Sequence, residues 1–255
     1  MTFHQSPGGL ATLFADIGRQ LTAHVRTDDA LAAVAEISVL RVPGAEWASV
    51  TRGRNGSFET VAATDPAALR ADNIQYELGT GPCVDAILQR TVFRTGDLGA
   101  DPRWPKFGSR AAELGVRSML SFRLFLEDDD LIAGLNLYAT SREAFDDTAQ
   151  TIGTLLATHG ALAVRAAAAR ELAAHLQHAL TTNREIGVAM GVLMNRYKIT
   201  RTQAFDLLRV ASQNTNRKLA HIAVEVGDTG TLDLPGQAFA KGGRPTSAPR
   251  QQDWA

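Results

Sequence analysis

The chain has 255 residues, 45% of them hydrophobic, which is enough to bury a sizeable core in one or two domains. Its formal net charge of −1 argues against a general nucleic-acid coat protein, and its single cysteine, Cys83, excludes an internal disulfide framework and a Cys-rich zinc site. The opening MTFHQSPGGLATLF has no basic segment followed by a long apolar run, and no apolar stretch approaches the ~20 residues a membrane span needs, so a reducing cytoplasm is the expected setting.

Residues 1 to about 9 read as a short tail ending in Gly8-Gly9. From Leu10 to Leu40 the pattern is helical, with Leu13, Ile17 and Leu21, then Leu31, Val34, Ile37 and Leu40 after a cap at Thr27 or Asp28. Pro43-Gly44 stops it. Trp47 to Thr51 reads as a strand, and Arg54-Asn55-Gly56-Ser57 carries the Asn-Gly hairpin signal, so Phe58 to Ala63 returns as the partner. A helical segment from Pro66 to Asp72 is followed by a loop to Gly81. Pro82 suits the first turn of a helix that continues through Ile87 and Leu88. Val92-Phe93-Arg94 is a short strand. Asp101 to Pro105 is a turn leading to a helix that ends at Leu114-Gly115. Val116 to Leu126 and Leu131 to Tyr138 are long strands joined by the acidic turn Glu127 to Asp130. A helix starts near Phe145 and runs through Ile152, Leu155 and Leu156.

Helices therefore flank a meandering antiparallel sheet over roughly residues 25–160, preceded by a tail and helix at 1–24. With Gly79-x-Gly81-Pro82-Cys83, the Trp104-Pro105 helix and the closing hairpin Gly134-Leu135-Asn136-Leu137, this order resembles a GAF domain, a sensory fold related to PAS. The resemblance implies a sensor; no cofactor is identified, and a small-molecule ligand, if the domain takes one, stays unidentified. The cyclic-nucleotide motif Asn-Lys-x-x-x-Phe-x-x-x-Asp-Glu is not found, and Arg26 to Thr158 contains no His to hold a haem. Trp47, Tyr76, Phe93, Trp104, Phe107 and Phe122 could line a pocket, although aromatics at such spacing are usually core. Cys83 opens a predicted helix, whose dipole would lower a thiol pKa and fit it to redox sensing of oxidants or nitric oxide. The commoner reading of such a lone Cys is a small buried apolar residue. GAF-type sulfoxide reductases use several cysteines, and one alone cannot form their resolving disulfide.

Residues 161–182 read as a coiled-coil linker. Arg165 to Glu171 is strongly helix-favouring. Leu162, Ala169, Leu176, Asn183 and Met190 share one heptad position, and Leu172, Ala179, Ile186 and Leu193 fall three residues later, a seam suited to a parallel homodimer. Asn183 could fix its register. The alternative is a single helix packed on its own domain.

Residues 183–232 hold three short amphipathic patterns. Ile186, Ala189, Met190, Leu193 and Met194 form the first stripe, and Tyr197-Lys198-Ile199 breaks it. Thr200 and Gln203 make a capping box for the second, Ala204, Phe205, Leu208 and Ala211. Ser212 to Asn216 reads as a polar turn whose Asn214, Thr215 and Asn216 can cap the third, Leu219, Ile222, Ala223 and Val226, which Gly227 ends. From Asn183 to Ile222 the basic residues Arg184, Arg196, Lys198, Arg201, Arg209, Arg217 and Lys218 face only Glu185 and Asp206 in number, a local footprint for phosphate.

The run Ile186-Gly187-x-Ala189-x-Gly191-x-Leu193-Met194, then Ala204-Phe205-x-x-Leu208-Arg209, then Ser212-Gln213-Asn214-x-Asn216-Arg217-Lys218-Leu219 closely resembles the ANTAR domain. That family comprises small three-helix RNA-binding domains of transcription antitermination regulators. Met190 departs from the basic or polar residue many members carry there. With the charge pattern, the resemblance implies RNA contacts from Arg196, Lys198, Arg201, Arg209, Arg217 and Lys218 on phosphate and from Gln213, Asn214 and Asn216 on bases. Residues 233–255, rich in Gly, Pro, Ser and Gln, read as a disordered tail.

No P-loop, no metal-ligand histidine spacing and no nucleophile elbow are found, so no enzyme is expected. His175 and His178 read as surface residues of the linker helix. No phosphorylatable receiver pattern precedes the ANTAR stretch. The expected protein is α+β: an N-terminal GAF sheet with flanking helices, a coiled-coil linker, and a C-terminal three-helix ANTAR bundle. It is expected to be a cytoplasmic, dimeric regulator that binds paired hairpins in nascent mRNA. Two alternatives stand beside it: a DNA-binding regulator using residues 201 to 226 as a helix-turn-helix, and a sensor and interaction protein without nucleic acid.

Overall fold

The computed structural model describes residues 7–54, 56–124 and 132–232; Asn55 of the hairpin, the expected acidic turn at Glu127 to Asp130 and the expected disordered tail at 233–255 lie outside the described residues. The chain divides into two compact units, Met1–Leu172 and Ala173–Ala255.

In the first unit, α1 (Pro7–Thr22) and α2 (Thr27–Arg41) precede β1 (Trp47–Arg54) and β2 (Ser57–Ala63). Then come α3 (Pro66–Leu78), α4 (Pro82–Gln89), β3 (Phe93–Thr95), α5 (Pro105–Glu113), β4 (Ser118–Leu124), β5 (Ile132–Ala139) and the start of α6 (Asp147–Tyr197). The sheet order is β2-β1-β5-β4-β3, with every neighbouring pair antiparallel.

Because strand side chains alternate between faces, this sheet serves two cores. Ala48, Val50, Leu120, Phe122, Leu135 and Leu137 pack with Leu31 and Val34 of α2 and with Ile152, Leu156 and Val164 of α6. Met119 and Tyr138 face the other way, toward Ala71 and Ile74 of α3, Cys83 and Ile87 of α4, and Phe107 and Ala111 of α5. Phe122, one of the expected pocket aromatics, therefore lies on the face away from Trp104 and Phe107. The register shifts between Val50 and Thr51, so Thr51 pairs with Thr60 and Val61 is left over. That bulge places Thr60, instead of an aliphatic residue, beside Thr51.

Several boundaries differ from expectation. Helix α3 runs on to Leu78 instead of ending at Asp72, because Ala67, Ala68, Ala71 and Ile74 continue its buried stripe. Thr27 does not cap α2 with its side chain; the cap position is Arg26, and the Thr27 hydroxyl donates to Glu171 Oε2 at 2.9 Å. Leu40, expected on the apolar stripe, is 78% exposed.

Helix α6 is a single helix of 51 residues, opened by Asp146, whose carboxylate accepts the Ala149 N–H at 2.8 Å. Against the expectation that no stretch is long and apolar enough for a membrane, α6 passes by length and composition. Half of its most apolar window is buried inside the protein.

In the second unit the end of α6 packs with α7 (Arg201–Thr215) and α8 (Leu219–Thr229) around Ala189, Leu193, Ala204, Leu208, Ala211, Ile222, Ala223 and Val226. Both capping-box bonds form: Gln203 N–H donates to Thr200 Oγ1 at 3.3 Å and Thr200 N–H donates to Gln203 Oε1 at 2.9 Å. The expected polar turn from Ser212 to Asn216 is mostly helix. α7 continues to Thr215, whose hydroxyl bonds back to Ala211 O at 2.7 Å, and Asn216 ends it in the left-handed region with φ 51°. The cap of α8 is Lys218, without a side-chain bond, so Asn214, Thr215 and Asn216 do not cap it. Gly227 lies inside α8, which ends at Gly230 with φ 69°.

Candidate functional site

Two constellations carry polar chemistry, one in each unit. The first is a buried polar network on the sheet face covered by α3 and α4. Ser49, Thr51, Asp72, Gln75, Ser121 and Asn136 are all fully buried there, and Tyr138 is too. Asp72 projects from α3. It accepts from Thr60 Oγ1 at 2.8 Å, from Asn136 Nδ2 at 3.0 Å and from the Tyr138 hydroxyl. Asn136 Nδ2 also lies 3.2 Å from both Ser49 Oγ and Thr51 Oγ1. The Tyr76 hydroxyl sits 2.7 Å from Thr51 Oγ1 and 3.0 Å from Thr60 Oγ1.

Burial pushes the Asp72 carboxyl up to about 6, and the hydrogen bonds from Tyr138, Ser49, Thr60 and Asn136 offset only part of that. Burial and then the Asp72 charge also raise the phenols of Tyr76 and Tyr138. Three buried polar atoms, Gln75 Nε2, Ser121 Oγ and Asn136 Oδ1, have no hydrogen-bond partner among the described residues. Each such orphan costs about 1–3 kcal/mol, so each is an atom that a ligand or an ordered water can meet.

The glycine motif organises this face. Gly79 closes α3 with φ 65°, and Gly81 sits at φ 150° before α4, where a Cβ would come within 2.6 Å of the Gln75 side chain. That close approach lets Gln75 Oε1 accept the Cys83 N–H at 2.8 Å. Cys83 Sγ is 3.2 Å from Thr51 Oγ1 and 1% exposed. Burial, and then the charge of Asp72, push its thiol up to about 12. Cys83 is thus the small buried residue of the commoner reading, and desolvation works against the thiolate that a helix start would favour. Of the expected aromatics, Phe93 and Trp104 meet edge-to-face at 5.2 Å, Trp104 Nε1 donates to Asp85 Oδ2 at 2.6 Å, and Phe107 is wholly buried. Their role is packing.

The second constellation is the polar surface of the three-helix bundle. Arg196, Lys198, Arg201, Arg209, Gln213, Asn214, Asn216, Arg217 and Lys218 are all exposed. Arg196 Nη1 donates to Gly230 O at 2.8 Å, Arg209 pairs with Asp206 at 3.4 Å, and Arg217 pairs with Glu225 at 2.7 Å. Among the described residues Arg201 and Lys218 have no carboxylate partner.

A family model for the GAF domain matches residues 24–165, more than half of the chain. The chain belongs to the GAF domain family. A second family model, for the ANTAR domain, matches residues 174–226, so this is a GAF and ANTAR domain-containing protein. GAF is a sensor domain and ANTAR an RNA-binding antitermination domain, so the protein is a regulator in kind. Among solved structures, the GAF domain of a phosphoenolpyruvate-protein phosphotransferase from Coxiella burnetii is similar, with a TM-score of 0.50 at 16% identity over 64% of this chain and 96% of that one. A bacteriophytochrome from the photosynthetic bacterium R. palustris matches with a TM-score of 0.57 at 12% identity, over 82% of this chain and 47% of that one. This chain spans about half of that protein's length. At such identities the likeness shows the fold alone. A comparison with curated proteins gives no match.

The buried network of the GAF domain was not singled out from the sequence. Its one signal is Asn136 between Leu135 and Leu137, a polar side chain at an inward strand position. In the ANTAR bundle the expected contact residues are spread over both inter-helix turns and one flank of α7. Of the expected dimer seam, Leu162, Leu172 and Leu176 are 56%, 59% and 57% exposed, and Ala169 and Asn183 are exposed as well. Ile186 and Met190 differ: they pack against the bundle's own core, as Leu193 does within it. His175 and His178 are exposed on α6. Among the described residues no group of three His, Cys, Asp or Glu could hold a metal ion.

Proposed function

We propose that this protein is a cytoplasmic, dimeric antitermination regulator whose ANTAR bundle binds paired hairpins in nascent mRNA under control of the GAF domain. The observation that carries the reading is the ANTAR match over 174–226 on a three-helix bundle whose basic side chains all point outward. Arg196, Lys198, Arg201, Arg209, Arg217 and Lys218 hold phosphates. Gln213, Asn214 and Asn216 hydrogen-bond unpaired loop bases, where RNA is open to sequence readout.

The dimer forms along α6 through Leu162, Ala169, Leu172, Leu176 and Asn183. Support comes from the exposure of three leucines at heptad-related positions, which water disfavours and a second copy would cover. Ile186 ends this seam because it is committed to its own bundle. In the GAF domain a small polar ligand engages the face that carries Asp72, Gln75, Ser121 and Asn136, and its binding shifts the regulator between states.

The test is a titration of the full-length protein into a pool of RNAs with two adjacent hairpins and randomised loops. Single-hairpin RNA and duplex DNA serve as controls. Preferential binding of the two-hairpin RNA is expected. Arg209→Ala with Lys218→Ala should weaken it and reduce the slope of log affinity against log salt by roughly 0.7–0.9 per lost phosphate contact. Equal affinity for duplex DNA, or an unchanged salt slope in the variant, would refute the assignment.

A further inference from the structure

Phe205 reads as part of the apolar stripe of α7, but the structure leaves it 42% exposed. The stripe itself is complete without it: Ala204, Leu208 and Ala211 are the buried residues of this helix. Phe205 instead occupies a row of every fourth residue along one flank, Arg201, Phe205, Arg209 and Gln213. Side chains at that spacing are neighbours on a helix surface. All four are exposed. Val210, the other exposed large hydrophobic side chain of α7 at 37%, lies five residues on, about 140° round the helix, so the two do not join into one apolar patch. A lone aromatic ring between two guanidinium groups is a poor fit to an apolar protein partner. It fits a flat, apolar-faced, anion-tethered group: a nucleobase on its sugar-phosphate.

Resting on the RNA-binding reading above, we infer that Phe205 is a stacking platform for one unpaired base of the bound hairpin loop. The ring takes the face of the base, Arg201 and Arg209 hold the phosphates on either side, and Gln213 meets a base edge. Stacking on an aromatic side chain tolerates any base and adds affinity without adding charge. Phe205 is thus expected to set affinity for unpaired loops over helical RNA, with no share in the salt dependence.

The experiment uses the full-length protein and a two-hairpin RNA selected from the randomised pool, with 2-aminopurine placed at each loop position in turn. Wild type is compared with Phe205→Tyr, Phe205→Leu and Phe205→Ala. One loop position should change its fluorescence on binding wild type and Phe205→Tyr but not Phe205→Leu. Affinity should fall about tenfold or more in Phe205→Leu and Phe205→Ala, and by less than about threefold in Phe205→Tyr, with the salt slope unchanged. Wild-type binding that Phe205→Leu leaves within about twofold overturns the stacking role and leaves the RNA reading standing. A pool that yields no binder overturns both. Equal losses in Phe205→Tyr and Phe205→Leu, together with lowered melting midpoints, overturn the proposal in favour of a packing role.

Discussion

Asp72 makes the stability of the GAF domain depend on pH in an unusual direction. An ordinary carboxyl titrates near 3.8, while burial pushes this one up to about 6. The folded protein therefore holds the proton more tightly than the unfolded chain does. Between those two values unfolding releases a proton, so stability falls as the pH rises through the window and the loss is complete above it. The full shift corresponds to about 3 kcal/mol, at roughly 1.4 kcal/mol per pH unit. Raising the pH from about 4 to about 8 should cost the domain about 2–3 kcal/mol through this group alone. Asp72→Asn keeps the shape: Tyr138 can still donate to the amide oxygen, and the amide NH2 faces the Thr60 hydroxyl. Urea denaturation, followed by the fluorescence of Trp47 and Trp104, would be run on both proteins across that range. The two stability profiles should converge near pH 4 and separate toward pH 8, with the variant the more stable there. Parallel profiles, or a variant that is weaker by a constant amount at every pH, would refute the reasoning and make Asp72 an ionised anchor.

Leu172→Asp with Leu176→Asp should convert a dimer to a monomer in sedimentation equilibrium and remove the preference for two adjacent hairpins. Each leucine buried in a seam is worth about 1.5–3 kcal/mol, so the pair should raise the dimer dissociation constant by at least a hundredfold. Unchanged association would place the interface elsewhere. Cys83 should resist a disulfide reagent in native protein at mildly alkaline pH and react only as fast as the domain opens, because its thiol is buried and raised to about 12. Rapid stoichiometric labelling of native protein would restore the case for a sensing thiol.

The elements that were legible in the sequence are those fixed by local chemistry. Thr200 and Gln203 announce a helix start because their two bonds close within one turn, and both bonds form. The Asn-Gly pair signals the β1–β2 hairpin, and Gly56 sits between its strands at φ 79°. The misreadings come where distance or context decides. Ser212 to Asn216 looked like a turn because its residues are polar, yet polar side chains on an exposed flank do not end a helix. Phe205 looked buried because spacing alone does not say which edge of a stripe the partner helices reach. Asp72, Asn136 and Tyr138 meet only because β5 lies beside β1 and under α3, so no local window contains the network. For Cys83 the helix start and the commoner reading as a small buried residue both hold, while the burial that works against a thiolate comes from α3, α4 and the sheet together and lies in no local window.

The strand order also sets a timetable for synthesis. The hairpin of β1 and β2 is complete early, but the other side of β1 pairs with β5, from Trp47 opposite Tyr138 to Gly53 opposite Ile132. About 80 residues must follow before that partner leaves the ribosome, roughly 4–16 s at bacterial-type elongation rates. Through that interval β1, which ends up between β2 and β5, has one open edge. Its protection in the meantime falls to Arg52, whose charge disfavours pairing with another nascent chain. Replacing it would first be felt in the yield of soluble protein, before any change in what the finished molecule binds.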